Sequence, residues 1–257
     1  MKSSLFAIFL FVCGFAFAQK PLSSIKDSSL YSEYRGVIAN QNIFLKLDSS
    51  NYNALVKRAS YELHLERYNE AISDYNHILR LKPNSADAYC NRALAYCFAK
   101  DFPNAIKDCN KQVELEPHIA MSYLNRAYVK GESGDYKSAI LDLDTALSIR
   151  PDYGKAFANR GHMYSKLKKH KEAVENYNKA LEIDPAYIEA TLNRCMSRFE
   201  LKDYRGVIDD YNRFLEISPG IVFYTNEIYL ILEKSYSKLG DKANAELFKQ
   251  KANSYSK

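Results

Sequence analysis

The sequence predicts an all-α fold, a solenoid of antiparallel helix pairs, and three observations carry that prediction. Five prolines, Pro83, Pro117, Pro151, Pro185 and Pro219, stand 34 residues apart, each after a stretch shaped like Leu-Glu-Ile-Asp. That interval is the period of a helical repeat rather than of a catalytic domain. Twelve residues before each proline comes an Ala or Val (Ala71, Ala105, Ala139, Ala173, Val207), and four before it a Leu or Val (Leu79, Val113, Leu147, Leu181, Leu215). Two apolar stripes at helical spacing recur in each period. In the unit 120–153 they are Tyr123, Ala127 and Val129, then Ala139, Ile140, Leu143, Ala146 and Leu147.

Taken in order, residues 1–18 read as a secretion signal: Lys2 is the positive start, Leu5 to Phe17 the apolar core, and Ala16-Phe17-Ala18 the small-x-small cleavage site before Gln19. The apolar run is too short to span a bilayer. Lipid attachment would recruit Cys13, but bulky Val12 occupies the place where that cleavage wants a small residue. The mature chain is therefore expected outside the cytoplasm, periplasmic or secreted, with no membrane span.

Residues 19–33 are a polar, proline-bearing leader that becomes ordered towards Tyr31. An N-terminal half repeat follows at 34–51. Tyr31 to Asp48 lies five periods before Leu201 to Ser218, and the two share Tyr34-Arg35-Gly36-Val37-Ile38 against Tyr204-Arg205-Gly206-Val207-Ile208. Complete units run 52–85, 86–119, 120–153, 154–187 and 188–221. Between the helices of a unit, Lys-Asp-Phe (100–102), Gly-Asp-Tyr (134–136) and Lys-Asp-Tyr (202–204) supply a tight turn, a helix-starting Asp and a ring beneath the corner. Each second helix should end near its proline, which pushes the preceding residue out of the helical region. After Gly220 the register slips by four residues, and Leu239-Gly240-Asp241-Lys242 restores the turn only if the last unit starts near Asn226. Residues 222–257 read as a capping repeat, whose second helix turns polar at Lys249, Gln250, Lys251 and Asn253.

An apolar content of 47% is ample for a core, and Gly and Pro are too few for disorder. The formal charge of +5 becomes +4 when the one basic residue of the signal, Lys2, is removed, and acidic residues are interspersed throughout. Nucleic-acid binding is not indicated. The mature chain keeps Cys90, Cys97, Cys109 and Cys195. Cys90 and Cys97 lie seven apart on one helix, about 10 Å of rise, beyond the reach of a disulfide. Each cysteine fills a slot where sister units carry an apolar, small or aromatic residue, which favours buried small hydrophobes. A Cys97–Cys109 bridge stays open on spacing alone.

A 34-residue helix–turn–helix with small residues at its eighth and twentieth positions and proline at its thirty-second resembles the tetratricopeptide repeat. Ala93 and Ala105, Ala127 and Ala139, Gly161 and Ala173 occupy the small slots. The resemblance covers about 200 residues and implies a right-handed superhelix that binds protein or peptide in a concave groove. Departures are Leu55 and Thr191, where the family places an aromatic, and Cys195 and Val207 in the small slots. Looser packing is expected there.

No Gly-rich phosphate loop, His-Glu-x-x-His helix, Gly-x-Ser-x-Gly elbow or Cys-x-x-Cys pair occurs, so no catalysis, metal or cofactor is expected. His64, His77, His118, His162 and His170 lack the three- or four-residue helical spacing of a metal pair; most are expected to be solvated, and His162 to face the groove.

Two ladders stand out. Arg58, Arg92, Arg126, Arg160 and Arg194 occupy the seventh position of each unit, matched by Asp74, Asp108, Asp142 and Asp210 at the twenty-third, with Asn176 the exception. They read as structural glue between antiparallel helices. Asn91, Asn125, Asn159 and Asn193, with Lys57 in the first unit, occupy the sixth position, which in the resembled family looks into the groove. Amides offer donor and acceptor together, suited to an extended peptide backbone, although bonding within the array accounts for them equally well. Leu94, Tyr128, Lys155, His162 and Met196 complete the candidate peptide-binding groove. The family's carboxylate clamp, which holds the acidic tail of a cytosolic chaperone, is incomplete: Lys155 and Asn125 fit it, but Cys90, Leu94 and Asn159 do not. The reading is a non-enzymatic exported scaffold that binds a peptide or protein segment, with a structural subunit held through its edges or convex face as the alternative. Oligomeric state is not legible.

Overall fold

The computed structural model describes residues 29–219 and 227–254, so the signal and its cleavage site, most of the leader and Cys13 lie outside the described residues. The described residues form thirteen helices and no strand, an all-α helical-repeat solenoid. They fall into two compact units, residues 20–149 and residues 150–257.

The first unit contains α1 (Ser29–Leu47), α2 (Tyr52–His64), α3 (Tyr68–Leu81), α4 (Ala86–Phe98), α5 (Phe102–Leu115), α6 (Ala120–Glu132) and α7 (Tyr136–Ile149). The second contains α8 (Gly154–Lys166), α9 (His170–Ile183), α10 (Ile188–Glu200), α11 (Tyr204–Ile217), α12 (Glu227–Lys238) and α13 (Lys242–Ser254). Among these, α3, α5, α7, α9 and α11 each stop two residues before Pro83, Pro117, Pro151, Pro185 or Pro219. The proline geometry thus terminates each second helix.

Turns inside the helix pairs share one device. The residue two places before the second helix has positive φ: Glu66 at 60°, Lys100 at 62°, Gly134 at 89°, Lys168 at 61°, Lys202 at 62° and Gly240 at 83°. Where an Asp follows, its carboxylate caps the helix, as Asp101 accepts from the Asn104 amide at 3.3 Å and Asp203 from that of Gly206 at 3.0 Å. Arg67 and Lys169 stand at the same place in α3 and α9 with no side-chain cap.

The small slots are where helices touch. Ala59, Ala71, Ala105, Ala139 and Ala173 are fully buried, and Ala93 and Ala127 nearly so. At Gly161 an added Cβ would stand 2.9 Å from the Tyr177 ring and 3.1 Å from the Ala173 carbonyl oxygen. The expected looseness at the departures takes a different form. Thr191, Cys195 and Val207 are fully buried, the last two in a cluster with Leu192, Tyr211, Phe214, Leu232 and Phe248. The larger residues at the small slots are thus enclosed by large side chains of α10 to α13.

Candidate functional site

The arginine ladder is more elaborate than a row of pairs. Each arginine sits on the first helix of its repeat, and the heads of Arg58, Arg92, Arg126 and Arg194 are each directed at two neighbours. In the 20–149 unit, Arg92 of α4 donates through Nε and Nη2 to Asp108 of α5 at 2.6 and 2.7 Å, and through Nη1 to Asn76 of α3 at 2.6 Å. Arg58 likewise holds Asp74 and Asn42, and Arg126 holds Asp142 and Asn110. In the 150–257 unit, Arg194 holds Asp210 and Asn178. Arg160 donates to the amide oxygen of Asn176 at 2.7 Å, where the ladder lacks its carboxylate. The bond to its aspartate holds each of Arg58, Arg92 and Arg126 above the ordinary guanidinium pKa. Asp210 is nearly sealed off, and burial pushes its carboxyl up despite Arg194 and Arg198 beside it.

Asn42, Asn76, Asn110 and Asn178 are partners that the sequence reading passed over. Their signal was present, since they stand sixteen residues before four of the five ladder arginines, in phase with the prolines, with Asp144 at that place before Arg160.

The sixth-position asparagines diverge. Asn91 on α4 is half-buried and makes no hydrogen bond among the described residues, with Leu94 half-buried on the same helix. Asn125 on α6 is turned inward: its Nδ2 donates to Cys90 Sγ at 3.1 Å and to the Gln112 oxygen at 3.3 Å. Tyr128 is half-buried on α6, and Lys57 on α2 is exposed. In the 150–257 unit, Asn159 and Asn193 are only 5% and 7% exposed, and the Asn159 Nδ2 is sealed from solvent without a partner. Both residues are buried, whereas Asn91 is half-buried. Lys155, His162 and Met196 are half-buried.

The histidines also depart from the expected solvation, since of the five only His118 is exposed. Burial, with the Lys166 charge adding to it, pushes the His162 pKa down to about 4, and the Nδ1 of His170 is buried without a hydrogen bond. His162 is therefore neutral at physiological pH.

All four cysteines of the described residues are free thiols, so the open question of a Cys97–Cys109 bridge resolves to an unbridged pair in one apolar cluster. Burial raises the Cys90 thiol to about 11 and the Cys97 thiol to about 12.

Known proteins match this arrangement at the level of the repeat. Residues 86–119, 120–153 and 154–187 match models described as tetratricopeptide repeat, and residues 62–97 one described as TPR repeat. No curated protein is matched. Among solved structures, a tetratricopeptide repeat protein from Parabacteroides merdae ATCC 43184 is 16% identical, with a TM-score of 0.66, over 92% of this chain and 91% of that one. PilW, described as a widely conserved type IV pilus biogenesis factor, is 16% identical with a TM-score of 0.69 over 79% and 92% of the two chains. Pseudomonas aeruginosa pilF is 18% identical with a TM-score of 0.66 over 78% and 89%. At these identities the likeness is one of fold. Helix pairs on a fixed period, proline-terminated second helices and matches running from residue 62 to residue 187 together identify tetratricopeptide repeats in this chain.

Proposed function

We propose that the protein is a non-enzymatic scaffold, exported from the cytoplasm, that holds a peptide or protein segment along the first helices of its repeats and serves assembly in the cell envelope. The observation that carries the reading is Asn91, a half-buried amide with no hydrogen bond among the described residues, beside Leu94 on a rigid helix. An uncommitted donor and acceptor next to apolar surface suits a peptide backbone and one of its side chains. Asn125 contributes indirectly, by fixing α6 against α4 and α5 through Cys90 and Gln112.

Export rests on the basic start, apolar core and Ala-x-Ala end of residues 1–18. Among the described residues no helix is long and apolar enough to cross a membrane. The description of PilW as a pilus biogenesis factor is in keeping with an envelope role.

A second reading, a subunit held permanently through an edge, is favoured by α1, where Ile43, Phe44 and Leu47 are 58%, 47% and 83% exposed.

The deciding experiment is calorimetry with a partner isolated on the mature chain from envelope extract, followed by Asn91→Ala. A lost neutral hydrogen bond is worth about 0.5–1.5 kcal/mol, so affinity should fall about two- to tenfold with the helices intact. Unchanged affinity for Asn91→Ala, with loss on Phe44→Asp, moves the contact to the α1 edge. A mature chain beginning at Gln19 supports export, and lipid on Cys13 overturns cleavage after Ala18.

A further inference from the structure

The arginine of the first complete repeat lacks a ring that three of its four sisters have, the other exception being Arg194, three residues after Thr191. The Arg92 guanidinium carbon lies 5.5 Å from the centre of the Tyr89 ring and that of Arg126 5.6 Å from Tyr123; in the 150–257 unit, Arg160 lies 5.3 Å from Phe157. In each pair the aromatic stands three residues before the arginine, and three residues before Arg58 stands Leu55. Beside Leu55 a cavity of about 400 Å³ opens between α1, α2 and α3, with Leu45 and Leu55 as its apolar part and Arg58, Lys46, His77 and Ser49 around them.

Tyr89 shows what the missing ring does. It reaches back from α4 to pack on the cluster containing Ile78, Leu79 and Ala88. One period earlier, Leu79 and Tyr89 correspond to Leu45 and Leu55, so an aliphatic side chain stands where the sister repeat has a ring, and the cavity borders it. All three donor nitrogens of Arg58 are occupied, Nε and Nη2 by Asp74 and Nη1 by Asn42. What Arg58 still offers is its flat face, the part of a guanidinium that stacks on aromatics.

Lys46 supplies the ammonium of the lining, with the Asp48 carboxylate two residues on. Lys46 is exposed and His77 half-buried, Asp74 is held by Arg58, and Asp48 accepts from the Ser50 amide and hydroxyl at 2.9 and 2.6 Å. The volume lies at the small end of ligand pockets, about 300–1,000 Å³.

We propose that this cavity is a docking pocket for an aromatic side chain of a partner polypeptide flanked by a carboxylate. The partner's ring takes the place that Tyr89, Tyr123 and Phe157 fill in three sister repeats, against the face of Arg58, and the carboxylate meets Lys46 and His77. This contact is separate from the Asn91 surface and gives the first repeat a selectivity that the repeats carrying Tyr89, Tyr123 and Phe157 lack.

Saturation-transfer NMR on the full chain tests it with three probes: N-acetyl-L-phenylalaninate, its uncharged N-methylamide, and N-acetyl-L-alaninate. Transfer to the phenyl ring is expected for the first, about three- to fivefold weaker binding for the second, in line with one exposed ion pair, and none for the third. Leu55→Tyr supplies the ring from within and should abolish binding. Lys46→Glu, at an exposed position where folding is not at stake, should invert the preference for carboxylate over amide. Undiminished binding by folded Leu55→Tyr, an unchanged preference in Lys46→Glu, or no saturable transfer from any aromatic probe to the parent chain would each overturn the proposal.

Discussion

Arg92 and Asp108, sixteen residues apart, meet through two parallel hydrogen bonds of 2.6 and 2.7 Å, with 17% of one side chain and 4% of the other exposed. Removing the carboxylate leaves a guanidinium largely buried with only Asn76 as hydrogen-bond partner. Asp108→Ala should cost about 3–5 kcal/mol. Urea denaturation of the variant against the parent measures it, and a loss under about 1 kcal/mol, the level of an exposed pair, would show that the pair is not structural.

Small slots give a paired test. Gly161→Ala drives a methyl against the fully buried Tyr177 ring, and Ala139→Leu overpacks a fully buried position; each should destabilise by about 1–3 kcal/mol. Gly36 is exposed on α1, and a methyl added there would have nothing within 4 Å of it, so Gly36→Ala should stabilise by about 0.5–1 kcal/mol. Thermal midpoints that move in one direction for all three would contradict the assigned contacts.

The uncapped start of α9 offers a gain. Asp101 and Asp203 cap α5 and α11 from the position that Lys169 occupies before α9. Lys169→Asp should add the missing acceptor and stabilise by about 1 kcal/mol, while Asp101→Ala should lose a similar amount. Both are read from denaturation midpoints.

His162 makes stability pH-dependent. Its folded pKa, about 4, lies below the unfolded value of about 6.5, so between these the unfolded chain binds more protons. The stability linked to His162 is complete above about pH 6.5 and is lost as pH falls towards 4. Unfolding free energies of the parent and of His162→Gln, measured from about pH 4 to about pH 7, check this, and the variant should show the shallower slope.

The fold was legible because the pattern that encodes it is redundant: proline, alanine, arginine and aspartate recur at one period, and each reports the same helix pair. Asn91, Asn125, Asn159 and Asn193 share a phase too, but phase fixes only the direction in which a side chain leaves its helix. Whether it meets water depends on its neighbours. Asn91 remains half-open, Asn125 finds Gln112 and Cys90, and Asn159 is closed over. The amides of Asn42, Asn76, Asn110 and Asn178 escaped because an exposed helix face also favours asparagine, so their periodicity carried no chemistry until the arginines were seen to reach them.

The two arms of each arginine are unequal, and that sets where the 20–149 unit yields. Inside a repeat, Arg58, Arg92 and Arg126 each make two bonds to a carboxylate; towards the preceding repeat each makes one bond to a neutral amide. Ionic, bidentate links are the stiffer kind. Under load, the seams between hairpins are therefore expected to stretch before the hairpins splay, which would let the unit change pitch around a bound segment while each hairpin stays folded.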